Sequence, residues 1–348
     1  MVLKENRYKV GVGYPVYIIA EISANHCQRF DDAVKLVKVA KEVGADAVKL
    51  QTYTPDTLTI KCDRPEFLIK GGSPWDGRNL YELYSKAYMP WEWHPELKKI
   101  ADKIGIELFS TAYDKTAVDF LEELQVPIYK IASMELVDTQ LIEYVARKKK
   151  PIIMSTGMAN LNEISEAVET AKKAGNTQII LLKCTSAYPS LPEEMNLLAI
   201  PYLFEVFGLP VGISDHTLEI VVPVAAVALG ACVVEKHITI SRNVPTPDRE
   251  FSLEPSEFKA MVDGIRTVGK ALGKRKIGMT KMESRCQAQR RSLFVVEDMK
   301  IGDVFTEQNV RSIRPGYGLL PKYLMEILGK KASRDIQRGT PLQWELVI

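Results

Sequence analysis

The feature that most limits the fold is a monotonous alternation running through the first two-thirds of the chain. Short β-branched runs are followed, again and again, by segments with apolar residues at three- and four-residue spacing. These are the signatures of a strand and of an amphipathic helix. The predicted strands are 17–22, 47–51, 107–111, 128–132, 151–155, 178–184, 211–214 and 232–237. Helical segments such as "DDAVKLVKVAKEVGA" and "LNEISEAVETAKKAG" separate them, and "PSEFKAMVDGIRTVGKALG" follows the eighth. Gly44, Gly105, Gly175, Gly208 and Gly230 stand where helices should end, in positions that call for a left-handed residue. Eight strand–helix units predict an α/β fold, a (β/α)8 TIM barrel. An open doubly wound sheet would need a glycine-rich phosphate loop after its first strand, and "AEISANH" contains none.

Two departures from the pattern define the organisation. Residues 52–94 form one long insertion between the second strand and its helix, rich in Trp, Tyr and Pro. A connection of that length normally serves as a lid or wall of a site. Past residue 273 the texture changes. Residues 274–291 are basic and read as a linker, and residues 292–348 as a small β-rich domain. Within that tail "DMKIGDVFTEQNV" (298–310) repeats weakly as "DIQRGTPLQWELV" (335–347). Two pseudo-repeated units are expected there, too small to be robust unless docked.

Bulk properties exclude several functions. Hydrophobic content of 46% and charged content of 26% are those of a globular protein. A net charge of +2 argues for neither nucleic acid nor an anionic membrane as partner. The run 220–234 is too short to span a bilayer, and "MVLKENRYKV" lacks a signal-peptide core. Five scattered cysteines fit reduced thiols, so a cytoplasmic location is expected.

Active sites of such barrels lie at the C-terminal ends of the strands. In chain order those ends carry Glu21, Asn25 and His26; Lys49 and Gln51; Ser110 and Thr111; Lys130, Ser133 and Glu135; Ser155; Lys183, Ser186 and Tyr188; Ser214, Asp215 and His216; Glu235 and His237. Burying so many polar groups costs several kcal/mol for each unpaired charge, so they must pair with one another or with ligands. Lys49, Lys130 and Lys183 with the surrounding hydroxyls describe a pocket for a small, densely anionic molecule. His216 and His237 end adjacent strands, which lie about 4.8 Å apart, and are expected to share a metal. Two imidazoles without a cysteine cluster suit Mn²⁺, Fe²⁺, Co²⁺ or Zn²⁺ better than Mg²⁺. His26 could line the same mouth, and His94 is expected to cap a helix or pack.

The motifs "AEISANH", "KLQTYTPDT", "YKIASMEL", "STGMA", "LLKCTSAYP", "GISDHT", "EKHIT" and "PDREFSLEP" resemble, in order, those of the sialic-acid synthase family. "RRSLFVVEDMKIGDVFTEQNVRSIRPGYG" resembles that family's antifreeze-like (SAF) C-terminal domain. Within the family, the insertion and the lysine of "LLKCTSAYP" look like the branch that makes pseudaminate. The resemblance implies condensation of phosphoenolpyruvate with an N-acetylated aldose, giving a nonulosonic acid and phosphate. It implies metal ligation by His216 and His237, with Mn²⁺ the first choice and Mg²⁺ or Co²⁺ behind it. Lys49, Thr111, Lys130, Ser133, Ser155, Ser186 and Ser214 match contacts to phosphoenolpyruvate. Glu21, Glu135, Asp248 and Lys130 match catalytic positions, and Gln51 and Tyr188 the sugar side. Arg314 matches an arginine that a partner subunit's tail places over the site, which implies a domain-swapped homodimer. The alternatives are the neuraminate or legionaminate branch, a synthase acting on a phosphorylated aldose, and a non-catalytic sugar-binding protein.

Overall fold

The computed structural model describes residues 10–274 and 276–348. They fall into two compact units, Met1–Gly273 and Lys274–Ile348.

In the first unit eight parallel strands close a barrel in sequence order. They are β1 Tyr17–Glu21, β2 Ala47–Thr52, β3 Glu107–Ala112, β4 Tyr129–Ile131, β5 Ile152–Ser155, β6 Ile179–Cys184, β7 Val211–Asp215 and β8 Val233–His237. Closure is made by β1 against β8, with Glu21 beside both Lys49 and His237. The helices in chain order are α1 Phe30–Glu42, α2 Pro55–Leu58, α3 Leu80–Ala87, α4 His94–Ile104, α5 Lys115–Glu123, α6 Thr139–Ala146, α7 Leu161–Lys173, α8 Ala199–Phe207, α9 Val221–Ala228 and α10 Pro255–Ala271. Their starts follow the sequence. Asp114 accepts from the backbone of Thr116 and Ala117, and Asn160 forms a capping box with Glu163. Of the five expected terminal glycines, Gly105 and Gly208 close α4 and α8 at φ of 74° and 63°, and the other three also have positive φ.

One continuous hydrophobic core joins the strands to the inward faces of the helices. At the bottom of the barrel Gly212 on β7 leaves room for Leu182 on β6. A Cβ there would lie 2.7 Å from the Leu182 side chain and 2.4 Å from the Val233 carbonyl oxygen.

The second unit has its own small core around Leu293, Val295, Phe305, Val310 and Leu342. Among its described residues only β9 Ser292–Val295 and β10 Val310–Ile313 form a continuous ladder, and α11 is the single turn Leu324–Ile327. The remaining pairing is by isolated bridges such as Met299–Ile336, because turns at Gly302 and Gly339, with φ of 84° and 88°, break up longer strands. Its bonding is reciprocal between the two repeats. Asp298 accepts from the Arg338 backbone at 2.7 Å and Asp335 from that of Ile301 at 2.9 Å. Gly302 donates to the Ala332 carbonyl and Gly339 to that of Val295, both at 2.8 Å. Each such pair is related by the same displacement along the chain as the sequence repeat, so the tail carries an internal pseudo-twofold.

Among the described residues, no helix is long and apolar enough to cross a membrane.

Candidate active site

Strand register decides which side chains meet. Lys49 on β2 bonds Glu235 on β8 across the intervening β1, so both point into the barrel. Alternation and register then carry Glu21, Gln51, Thr111, Lys130, Ser155, Cys184, Ser214 and His237 to the same inner face. Lys183 and Asp215 have the opposite parity. Two expectations are corrected here. Lys183 is not part of the anion pocket; its ammonium bonds the Cys184 carbonyl at 2.9 Å and the Thr185 hydroxyl at 3.0 Å. His26 does not line the mouth either. It is buried against Trp93, with Nδ1 accepting from the Gln28 backbone at 2.9 Å. Asp215 pairs at 2.6 Å with Lys236, both wholly buried behind the barrel wall. His94 opens α4 and bonds Thr52 at 2.9 Å, again on the outer face.

At the floor of the site is a buried network of alternating charge. Lys49 lies 2.9 Å from Glu21 and 2.6 Å from Glu235, and Lys130 lies 3.7 Å from Glu235 and 2.7 Å from the Ser155 hydroxyl. Ser214 donates to Glu235 at 3.2 Å. Burial opposes the charge on Glu235, but Lys130 and Lys49 overcome it and hold the carboxyl at about 2. Burial drags Lys49 down and is outweighed by Glu21 and Glu235, which leave it above the usual lysine value. Lys130 has less compensation, and burial brings it to about 8.

The next strand ends pack closely around Gly157. The Gly157 backbone after β5 donates to the Ser133 hydroxyl after β4 at 3.1 Å. A Cβ on Gly157 would lie 2.7 Å from that hydroxyl and 2.2 Å from the Ser186 hydroxyl after β6. Two hydroxyls and a bare backbone therefore converge from three successive loops. Glu135 stands beside them with one carboxylate oxygen buried and unpartnered. Burial pushes its carboxyl up to about 7.

The imidazole pair lies alongside, with Cys184 Sγ 4.0 Å from His216 Nδ1 and 3.8 Å from the Ser186 hydroxyl. The His216 and His237 ring centroids are 5.3 Å apart. The Thr185 carbonyl, which can only accept, sits 2.9 Å from His216 Nδ1, so that nitrogen carries a hydrogen and Nε2 is left free for another partner. Burial and the neighbouring His216 drive His237 well below the ordinary imidazole value, so it is neutral; its Nδ1 is buried without a partner. These two rings suit a divalent ion, one of them oriented by a backbone carbonyl as metal-binding histidines usually are. Glu235 is held by lysines, and no group of three or more His, Cys, Asp or Glu suited to a metal occurs among the described residues. Tyr188 and Phe251 pack on the pair, with centroids 4.4 Å from His216 and 4.9 Å from His237 respectively.

Above this floor opens a cavity of about 630 Å³. Of the expected residues, Gln51, Glu135, Ser186, Tyr188, His237 and Asp248 line it. Glu21, Lys49, Thr111, Lys130, Ser155, Ser214 and His216 are buried beneath or beside it. Asp248 accepts from the Ser23 hydroxyl and, at 3.1 Å, from the Ala24 backbone, which ties the loop after β8 to that after β1. Burial raises its carboxyl. Arg314 belongs to the second unit. Residues that strand-end reasoning passed over include Tyr53, Tyr84, Trp75 and Tyr113, all on the cavity wall. Three of them come from the insertion, whose aromatic content was the available signal. Trp75 donates to the Pro247 carbonyl at 3.0 Å and packs on Tyr188 and Phe251, which latches the insertion across the mouth.

A (β/α)8 barrel with such strand ends defines a class, and comparison with known proteins names it. The NeuB family model matches residues 36–277 and the SAF domain model residues 290–348; the chain belongs to the NeuB family. It is 46% identical over 328 residues to the pseudaminic acid synthase of Campylobacter jejuni strain 81-176, covering 94% of this chain and 95% of that protein. It is 45% identical to the pseudaminic acid synthase of Helicobacter pylori, covering 94% and 96%. Among solved structures it is similar to the spore coat polysaccharide biosynthesis protein spsE of Bacillus subtilis. The TM-score there is 0.68 at 33% identity, covering 100% of this chain and 99% of that one.

Proposed function

We propose that this chain is a pseudaminic acid synthase. It condenses phosphoenolpyruvate with 2,4-diacetamido-2,4,6-trideoxy-β-L-altropyranose and water to give pseudaminate and phosphate. The observation that carries this reading is the union of a buried lysine pair and an imidazole pair inside one barrel, in a chain 46% identical to pseudaminic acid synthases.

Lys49, Thr111 and Lys130 hold the phosphoenolpyruvate carboxylate, with Ser155 and Ser214 beside the two lysines. The phosphate sits against the hydroxyls of Ser133 and Ser186, which converge beside Gly157. Gln51, Tyr188 and Asp248 orient the open-chain sugar so that its aldehyde carbon faces carbon 3 of phosphoenolpyruvate. That carbon attacks the aldehyde, the cationic centre left at carbon 2 takes up water, and the tetrahedral adduct loses phosphate by C–O cleavage. Glu135, near neutrality in its proton affinity, and Glu21 serve the proton transfers. His216 and His237 would hold a divalent ion, Mn²⁺ first, whose chemistry is to polarise the aldehyde oxygen as a Lewis acid. Arg314 reaches the site from the tail of a second subunit in a domain-swapped homodimer.

The direct test is phosphate release by purified protein from phosphoenolpyruvate, Mn²⁺ and defined sugars. Release with the altrose derivative is expected. Release with N-acetylmannosamine or 2,4-diacetamido-2,4,6-trideoxymannose alone would move the chain to the neuraminate or legionaminate branch. His216→Ala should lose bound metal and turnover while keeping its melting temperature.

A further inference from the structure

The cavity has two chemically different ends. One is the polar set at the strand ends. The other is built by the insertion, where residues 69–75 form one part of the wall and α3 supplies an apolar one. Leu80, Leu83, Tyr84 and Ala87 all line the cavity, and their spacing of three, four and seven residues puts them on one face of the helix. Tyr81, Glu82, Ser85 and Lys86 make up the rest of it. An amphipathic helix ordinarily buries its apolar stripe in a core. Here the stripe faces a cavity, and Leu58 at the end of α2 extends the same wall.

This helix is fixed in place. The Asn79 side chain caps it through the Tyr81 backbone at 2.9 Å and donates to the Cys62 carbonyl at 2.7 Å. Tyr84 packs edge-on against Tyr53 beyond β2, with centroids 5.7 Å apart, and Tyr53 packs on Tyr113 beyond β3 at 5.2 Å. Lys70 is the one ammonium lining the cavity among the described residues, and it is exposed, where a lone charge is a weak anchor for phosphate.

We infer that the α3 stripe is the specificity wall for the end of the sugar remote from its aldehyde, and that it selects methyl-bearing substituents over a hydroxylated or phosphorylated tail. This rests on the synthase reading and goes beyond it by assigning the choice of sugar to Leu80 and Leu83. With the aldehyde at the imidazole edge, the far carbons extend toward α3. A deoxy carbon or an acetamido methyl completes the burial of the stripe. A hydroxymethyl in its place loses hydration without gaining a hydrogen-bond partner, a difference worth roughly 10- to 100-fold in kcat/KM.

The test compares the 2,4-diacetamido-2,4,6-trideoxy sugar with its 6-hydroxy counterpart in phosphate-release assays on the full chain. The native protein should prefer the trideoxy sugar by about 10- to 100-fold. Leu80→Ala and Leu83→Ala should each raise the KM for that sugar and shrink the preference, with the KM for phosphoenolpyruvate unchanged. Leu80 is only partly buried, so its variant stays folded even if Leu83→Ala does not, and melting curves distinguish the two. Equal use of both sugars by the native protein, or an unaltered preference in the folded variants, overturns the inference and leaves the synthase reading standing. Absence of phosphate release with every N-acetylated aldose overturns both.

Discussion

Lys49, proposed to hold the phosphoenolpyruvate carboxylate, also bears on stability. Its ammonium is the partner of two buried carboxylates, Glu21 and Glu235. Lys49→Met would leave Glu21 without its cation and Glu235 with the more distant Lys130 as its cation. Removing one partner from a buried ion pair costs about 3–5 kcal/mol, so urea unfolding should show a loss of that order. Adding Glu235→Gln should recover part of it. Glu135 offers a pH-dependent test. Burial raises its carboxyl from 4.5 to about 7 in the folded protein, so the folded state holds this proton more tightly than the unfolded chain. Its contribution is therefore complete below about pH 4.5 and is lost as the pH rises through about 7. Relative to Glu135→Gln, the native protein should lose melting temperature across that window, and the variant's pH–rate profile should lack the limb near neutrality.

Among elements, the barrel strands were the most legible part of the sequence, because apolar β-branched runs between capped helices admit few other folds. Their ends differ from expectation by a residue or two; β4 is the shortest, Tyr129–Ile131. Less legible was which alternate residue of each strand faces inward. Lys183 and Cys184 are neighbours, and nothing local tells which of them enters the barrel; closure of the sheet decides it. The same parity sends Asp215 to Lys236 and His216 to the site. The insertion was legible as a wall from its length and aromatic content. That α3 turns an apolar stripe toward a cavity depends on the latch at Trp75 and Pro247, a contact between distant segments. Gly212 yields an element-scale prediction. Gly212→Ala would force a methyl against the Val233 carbonyl oxygen, which is backbone and cannot swing aside. It should cost about 1–3 kcal/mol or more by urea titration.

At the scale of the whole molecule, the role proposed for Arg314 requires two chains. Arg314→Ala should lower turnover by at least about tenfold, as expected for loss of a charged hydrogen bond worth roughly 1.5–3 kcal/mol, without changing the oligomeric state in sedimentation. Mixing it with His216→Ala under subunit exchange should restore part of the activity, because a mixed dimer contains one site with both residues native. Failure of that complementation, with exchange verified, would put the arginine in its own chain's site.

The tail's reciprocal bonds carry a consequence for how it folds. Asp298 satisfies an amide of the second repeat and Asp335 one of the first, and the glycine turns of each half donate into the other. Each repeat closes its own turn, Asp303 to Lys300 and Thr340 to Gln337, but the glycine amide and the aspartate of each half find these partners in the other, so a half-tail leaves them unsatisfied. The two halves gain and lose protection from hydrogen exchange together, and an interruption anywhere between them dissolves both, which makes this stretch a single cooperative unit despite its duplicated sequence.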